Sequence, residues 1–155
     1  MSFRPGNYTL QLGPVTGVGG MYATGNGLNK MVSTAARVPS TEERQVWSIE
    51  PVEGKEDIYT IILHTGGGSA YGGNWSLKDK SPVPRGPVFT LEEFSEWRIQ
   101  RIDNGLPSSD PAITIQPVTE ATGASWFVAV EADQVVVKRF PLDVEEPPFW
   151  QTGDY

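Results

Sequence analysis

The chain has 155 residues, no cysteine and a formal net charge of −7. The missing thiols exclude a disulfide framework, a zinc–thiolate site and a cysteine nucleophile, and the acidic balance disfavours nucleic acid and anionic membranes, which both need a basic footprint. A domain of this length buries roughly 70% of the surface its unfolded chain exposes, so a core forms without covalent staples. No apolar run approaches the ~18 residues of a membrane span, and Met1-Ser2-Phe3-Arg4-Pro5 lacks the apolar region of a signal peptide, so a cytoplasmic location is expected. Glycine and proline punctuate short runs of aromatic and β-branched residues, the composition of an all-β, turn-rich protein.

In chain order, Asn7 to Leu12 alternates Tyr8, Leu10 and Leu12 with polar neighbours, the period of a half-buried strand. The loop Gly13-Pro14-Val15-Thr16-Gly17-Val18-Gly19-Gly20 follows, narrow because its glycines carry no side chain. Met21 to Thr24 and Met31 to Thr34 are strands flanking the turn at Gly25-Asn26-Gly27. Ala35 to Glu43 is a broad loop with Arg37, Pro39, Ser40, Thr41 and Glu42, and it leads into the strand around Trp47. Ile58 to Leu63 is the next strand, followed by the glycine-rich His64 to Ser69, which lacks the Lys and the following helix of a phosphate cradle. Lys78 to Pro87 is a proline-stiffened loop presenting Arg85. Leu91-Glu92-Glu93-Phe94 is the one pattern that reads as helix, a single turn. The last third runs from Pro111 to Trp150, with Glu131-Ala132-Asp133 as a turn and Pro141 to Pro148 as an acidic loop.

A period near fifty residues runs through these elements. Trp47, Trp97 and Trp150 recur at steps of 50 and 53, and Tyr8-Thr9-Leu10, Tyr59-Thr60-Ile61 and Ile113-Thr114-Ile115 at steps of 51 and 54. Between them align Met21-Tyr22-Ala23, Ala70-Tyr71-Gly72 and Ser125-Trp126-Phe127, then Met31-Val32, Val88-Phe89 and Val135-Val136-Val137. Four short strands therefore repeat three times, and three units with one Trp each close a single domain over 1–155, with repeats at about 1–54, 55–107 and 108–155. The three repeating tryptophans are core residues; Trp75 and Trp126 break the repeat and are the candidates for a sugar-stacking platform.

No convergent catalytic set emerges. His64 is the only histidine, and no sequence motif sets it in a catalytic triad. Glu92, Glu93 and Glu96, and Asp143, Glu145 and Glu146, match no calcium-loop spacing and read as solvated charge. The chain is expected to be neither an enzyme nor a metal or cofactor protein.

The run Gly17 to Thr24, with Glu43-Arg44-Gln45-Val46-Trp47, Met1-Ser2, Tyr8, Tyr59-Thr60-Ile61 and Val137-Lys138-Arg139-Phe140-Pro141, resembles the mycocypins, the clitocypin and macrocypin family of fungal cysteine-protease inhibitors. The resemblance implies a β-trefoil of twelve strands and reversible inhibition of papain-like proteases by two loops of the first repeat; a monomer is expected. The site residues it implies are Gly17, Val18, Gly19, Gly20 and Met21, with Arg37, Pro39, Ser40, Thr41 and Glu42 beside them. A papain-type cleft holds its thiolate at the bottom of a groove, which a bare glycine backbone can cross without forming a bond. The asparagine that some family members use against asparaginyl endopeptidase has no counterpart in Thr65-Gly66-Gly67-Gly68-Ser69-Ala70. Two alternatives stay open. Lys30 or Arg85, on glycine- or proline-bounded loops, could fill the acidic pocket of a trypsin-like protease. A trefoil lectin is suggested by fold analogy and by Gln45-Val46-Trp47, a pattern found in ricin-type repeats.

Overall fold

In the computed structural model the described residues are 3–13, 21–64, 73–78, 82–102, 111–119 and 123–154. They contain the strands β1 (Gly6–Leu12), β2 (Met21–Thr24), β3 (Lys30–Met31), β4 (Ser33–Ala36), β5 (Trp47–Pro51), β6 (Ile58–Leu63), β7 (Asn74–Ser76), β8 (Gly86–Pro87), β9 (Phe89–Leu91), β10 (Trp97–Ile102), β11 (Ala112–Pro117), β12 (Ser125–Glu131), β13 (Gln134–Phe140) and β14 (Trp150–Asp154). The apolar, β-branched runs seen in the sequence become these strands because a pleated surface with one buried face suits them.

Antiparallel pairing closes six strands into a barrel: β1 joins β5, β5 joins β6, β6 joins β10, β10 joins β11, β11 joins β14, and β14 returns to β1. Full closure leaves no free sheet edge there. The remaining strands form three hairpins over one end, β2 with β4, β7 with β9 and β12 with β13, linked by β3 to β9, β8 to β13 and β13 to β4. This is a β-trefoil. Its third strand is interrupted in two repeats, at Val32 between β3 and β4 and at Val88 between β8 and β9, so fourteen segments among the described residues make twelve trefoil strands.

Val32 and Val88 meet Val135 of the third repeat at the axis. The Val32 amide donates to the Val88 carbonyl (2.8 Å), Val88 to Val135 (2.9 Å) and Val135 to Val32 (2.9 Å), a closed ring of backbone hydrogen bonds around the pseudo-threefold axis. All three valines are fully buried. The ring satisfies the amide and the carbonyl of each of these buried valines.

The tryptophans obey the same symmetry. Trp47, Trp97 and Trp150 have no exposed surface, and their indole Nε1–H groups donate to the carbonyls of Ala23 (3.0 Å), Trp75 (3.1 Å) and Val128 (3.2 Å), each on the second strand of its own repeat. Each indole thus ties a barrel strand to its cap hairpin. These bonds also correct the alignment. The second strand of repeat two is Asn74–Ser76, with Trp75 equivalent to Ala23 and Val128, and Ala70-Tyr71-Gly72 lies outside the described residues. Trp75 does not break the repeat; it fills the centre, edge-on to Trp47, Trp97 and Trp150 at centroid distances of 5.4, 6.0 and 6.5 Å. The expected helical turn at Leu91–Phe94 is also corrected. Leu91 ends β9, and the short 3-10 turn sits at Glu42–Arg44. A glutamate pair is a weak helix signal, and here the strand pairing of Leu91 with Asn74 overrides it.

Candidate functional site

The register of the first hairpin brings two loop stems together. Met21, where the 14–20 loop returns to the sheet, pairs with Ala36, where the 37–46 loop leaves it. The other stem of the first loop is fixed as well: the Gly13 amide donates to the Phe149 carbonyl (3.0 Å), and a Cβ on Gly13 would lie 2.2 Å from the Phe149 ring. Only a glycine lets the backbone pass so close to that ring.

The 37–46 loop carries its own scaffold. Thr41 Oγ1 accepts from the Val38 amide (3.1 Å) and lies 2.8 Å from the Ala36 carbonyl, to which it donates. The Thr41 and Glu42 amides both donate to the Val38 carbonyl (2.8 and 3.0 Å). These are the local side-chain and turn bonds by which a threonine organises a loop. They leave Val38, Pro39 and Ser40 exposed at the tip, with Val38 at 43% exposure. Arg37 is half-buried, its guanidinium 5.9 Å from the Tyr22 ring centroid, within cation–π reach. Beneath the loop, the fully buried Gln45 donates from Nε2 to Thr24 Oγ1 (3.0 Å) and to the carbonyls of Ala35 and Ala36 (3.1 and 3.2 Å).

Of the residues singled out in the sequence, Gly17, Val18, Gly19 and Gly20 lie outside the described residues, as does the Gly66–Ala70 loop. Met21 is half-buried at the start of β2, Pro39, Ser40 and Glu42 are exposed, and Thr41 is half-buried in its bracing role. Lys30 is not on a loop tip: it belongs to β3 and pairs with Thr90. Arg85 occupies the third position of the turn Val83–Gly86, closed by a bond from the Gly86 amide to the Val83 carbonyl (2.8 Å), with a left-handed φ of 62°. Its Nε is 3.4 Å from Glu131 Oε2, and its backbone is not the extended strand that a protease pairs with its substrate. Trp75 and Trp126 are buried at 0% and 9% exposure, so neither offers an open aromatic platform for a sugar.

Sequence reasoning missed the supports of the loop: Asn26, Arg44 and the Gly13–Phe149 contact. Their partners are separated by up to 136 positions in the chain, a distance over which no local pattern carries a signal.

A six-stranded barrel capped by three hairpins defines the β-trefoil class. A designed three-fold symmetric protein, ThreeFoil, has the same fold, at a TM-score of 0.62 and 13% identity, with 96% of this chain and 99% of that chain covered. The profile of a family described as peptidase inhibitor clitocypin matches residues 6–152, and the chain belongs to that family of peptidase inhibitors. Similar relatives are Clitocypin-4/-3 and Clitocypin-5 of Clitocybe nebularis, each 27% identical with 97% of this chain and 96% of the relative covered. Clitocypin-2 of the same fungus is 26% identical over the same shares. The protein is accordingly a protease inhibitor and not an enzyme, and its partners are proteases.

Proposed function

We propose that the protein inhibits papain-like cysteine proteases by laying the 14–20 loop and the 37–46 loop side by side over the active-site cleft. The observation that carries this reading is the pairing of Met21 with Ala36, which puts the two loop stems in adjacent strands of one hairpin. The bonds inside the 37–46 loop supply preorganisation that lowers the ordering cost of binding. Glycine at 19 and 20 lets the backbone cross a narrow groove above the thiolate. The Val38–Ser40 tip then braces one wall. Binding by shape alone requires no bond to the nucleophile.

The test is titration of papain, a cathepsin L-type enzyme and trypsin with the wild type and with Gly20→Val and Gly19→Trp, after circular dichroism confirms folding. Inhibition of the two cysteine proteases, weakened about tenfold or more by either variant, is expected; tenfold corresponds to about 1.4 kcal/mol. Replacement of Glu42 by alanine should change affinity less, as rim positions do. No inhibition by the wild type at micromolar concentration, or glycine variants as potent as the parent, would remove these loops from the site.

A further inference from the structure

The 37–46 loop is anchored at its far end by a contact that neither the family match nor the loop itself accounts for. Arg44 closes the 3-10 turn Glu42–Arg44, and its Nη1 donates to the carbonyl of Gly25 (3.0 Å) and to Oδ1 of Asn26 (3.1 Å). The Gly25 amide answers with a bond to the Arg44 carbonyl (2.9 Å). On its other side, Asn26 Nδ2 lies 2.9 Å from the Met31 carbonyl, to which it donates, and 2.9 Å from Ser33 Oγ. One exposed side chain therefore joins the loop to the interrupted third strand of its repeat.

We propose that Asn26 is a positioning residue for inhibition, a two-sided clasp that holds the 37–46 loop in its protease-binding geometry through Arg44. The chemistry of the position selects an amide. Toward Arg44 the side chain must accept, and toward the Met31 carbonyl it must donate; a carboxylate does only the first and an ammonium only the second. The side-chain hydrogen bonds of Asn26 go to Arg44, Met31 and Ser33 and not to the exposed tip at Val38–Ser40, so its influence on a bound protease runs through the loop it holds. Arg44 is better placed than lysine for the same reason, because one guanidinium nitrogen reaches two acceptors in a fixed plane. The three bonds of the Asn26 side chain are solvent-exposed and individually modest. Their effect on affinity comes from limiting how many conformations the loop samples before it binds. This inference rests on the proposed role of the 37–46 loop, and its test separates the two.

The test compares wild type, Asn26→Ala and Asn26→Asp by association and dissociation rates with papain and by amide hydrogen exchange. Asn26→Ala should raise the dissociation rate roughly three- to tenfold, the worth of one or two net hydrogen bonds. It should also speed exchange at the hydrogen-bonded amides of Thr41, Glu42, Arg44 and Gln45, while barrel amides such as Ile99 stay protected. Asn26→Asp, which keeps the acceptor for Arg44 and loses the donor to Met31, should fall between. Unchanged exchange in the 41–45 segment of Asn26→Ala, or equal acceleration throughout the barrel, overturns the clasp. If wild-type protein leaves papain active, the functional reading fails, and the exchange measurement still decides whether Asn26 holds the loop.

Discussion

Replacing Trp75 probes how the four-tryptophan centre is held. Trp75 has no exposed surface and meets three other indoles edge-on, at 5.4 to 6.5 Å between centroids. A side chain of this kind buries about 200 Å², which at about 25 cal/mol per Å² amounts to about 5 kcal/mol. Trp75→Ala therefore belongs at the top of the about 3–5 kcal/mol range for such cavities, a large share of a total stability on the order of 5–15 kcal/mol. The phenylalanine variants make a sharper test. The Nε1 atom of Trp75 is buried without a hydrogen-bond partner, whereas that of Trp47 donates to the buried Ala23 carbonyl at 3.0 Å. Trp75→Phe gives up area alone. Trp47→Phe gives up the same area and deprives a buried carbonyl of its donor, an added loss of about 1–3 kcal/mol. Guanidinium unfolding followed by far-ultraviolet circular dichroism, with the slopes checked for equality, measures the difference. Equal losses for the two phenylalanine variants, or a Trp75→Ala loss below about 2 kcal/mol, would refute the reasoning.

Gly13→Ala should destabilise the fold by about 1–3 kcal/mol through overpacking against the Phe149 ring, and should weaken protease inhibition further by shifting the stem of the 14–20 loop; thermal melting and the inhibition constant check the two parts. Thr41→Val removes the hydroxyl bonds to Ala36 and Val38 at nearly constant volume, so about 1 kcal/mol of local stability should go, read as faster amide exchange at Val38 with the barrel unaffected. Burial, and then the Asp57 carboxylate, raise the Tyr59 phenol above its ordinary value of 10.0. The unfolded chain thus releases this proton at a lower pH than the folded one, so Tyr59's contribution is fully present below pH about 10 and is lost as pH rises through the folded value. Tyr59→Phe should flatten the alkaline fall in stability, and an unchanged slope would show that this residue does not govern it.

The spacing of Trp47, Trp97 and Trp150 was enough by itself to state a threefold repeat and to place those residues in the core, because each repeat must bury the same large side chain against the same neighbours. The run Gly17 to Thr24 likewise pointed to the inhibitor family through a resemblance, and the family match over residues 6–152 shows that family. The sequence could not place Trp75. Its equivalents are Ala23 and Val128, small residues that show no aromatic periodicity, and the centre needs one large ring where threefold symmetry would put three. Nor could it foresee the ring formed by Val32, Val88 and Val135, since a backbone hydrogen bond across the axis leaves no trace in side-chain type. The loop supports were hidden for a related reason. Asn26, Arg44 and Gln45 are polar residues whose partners lie in other turns and strands of the repeat, and Gly13 needs to be a glycine only because Phe149 arrives from the far end of the chain. Periodicity reports which face of an element is buried; which particular atoms meet across that face is decided only when the barrel closes.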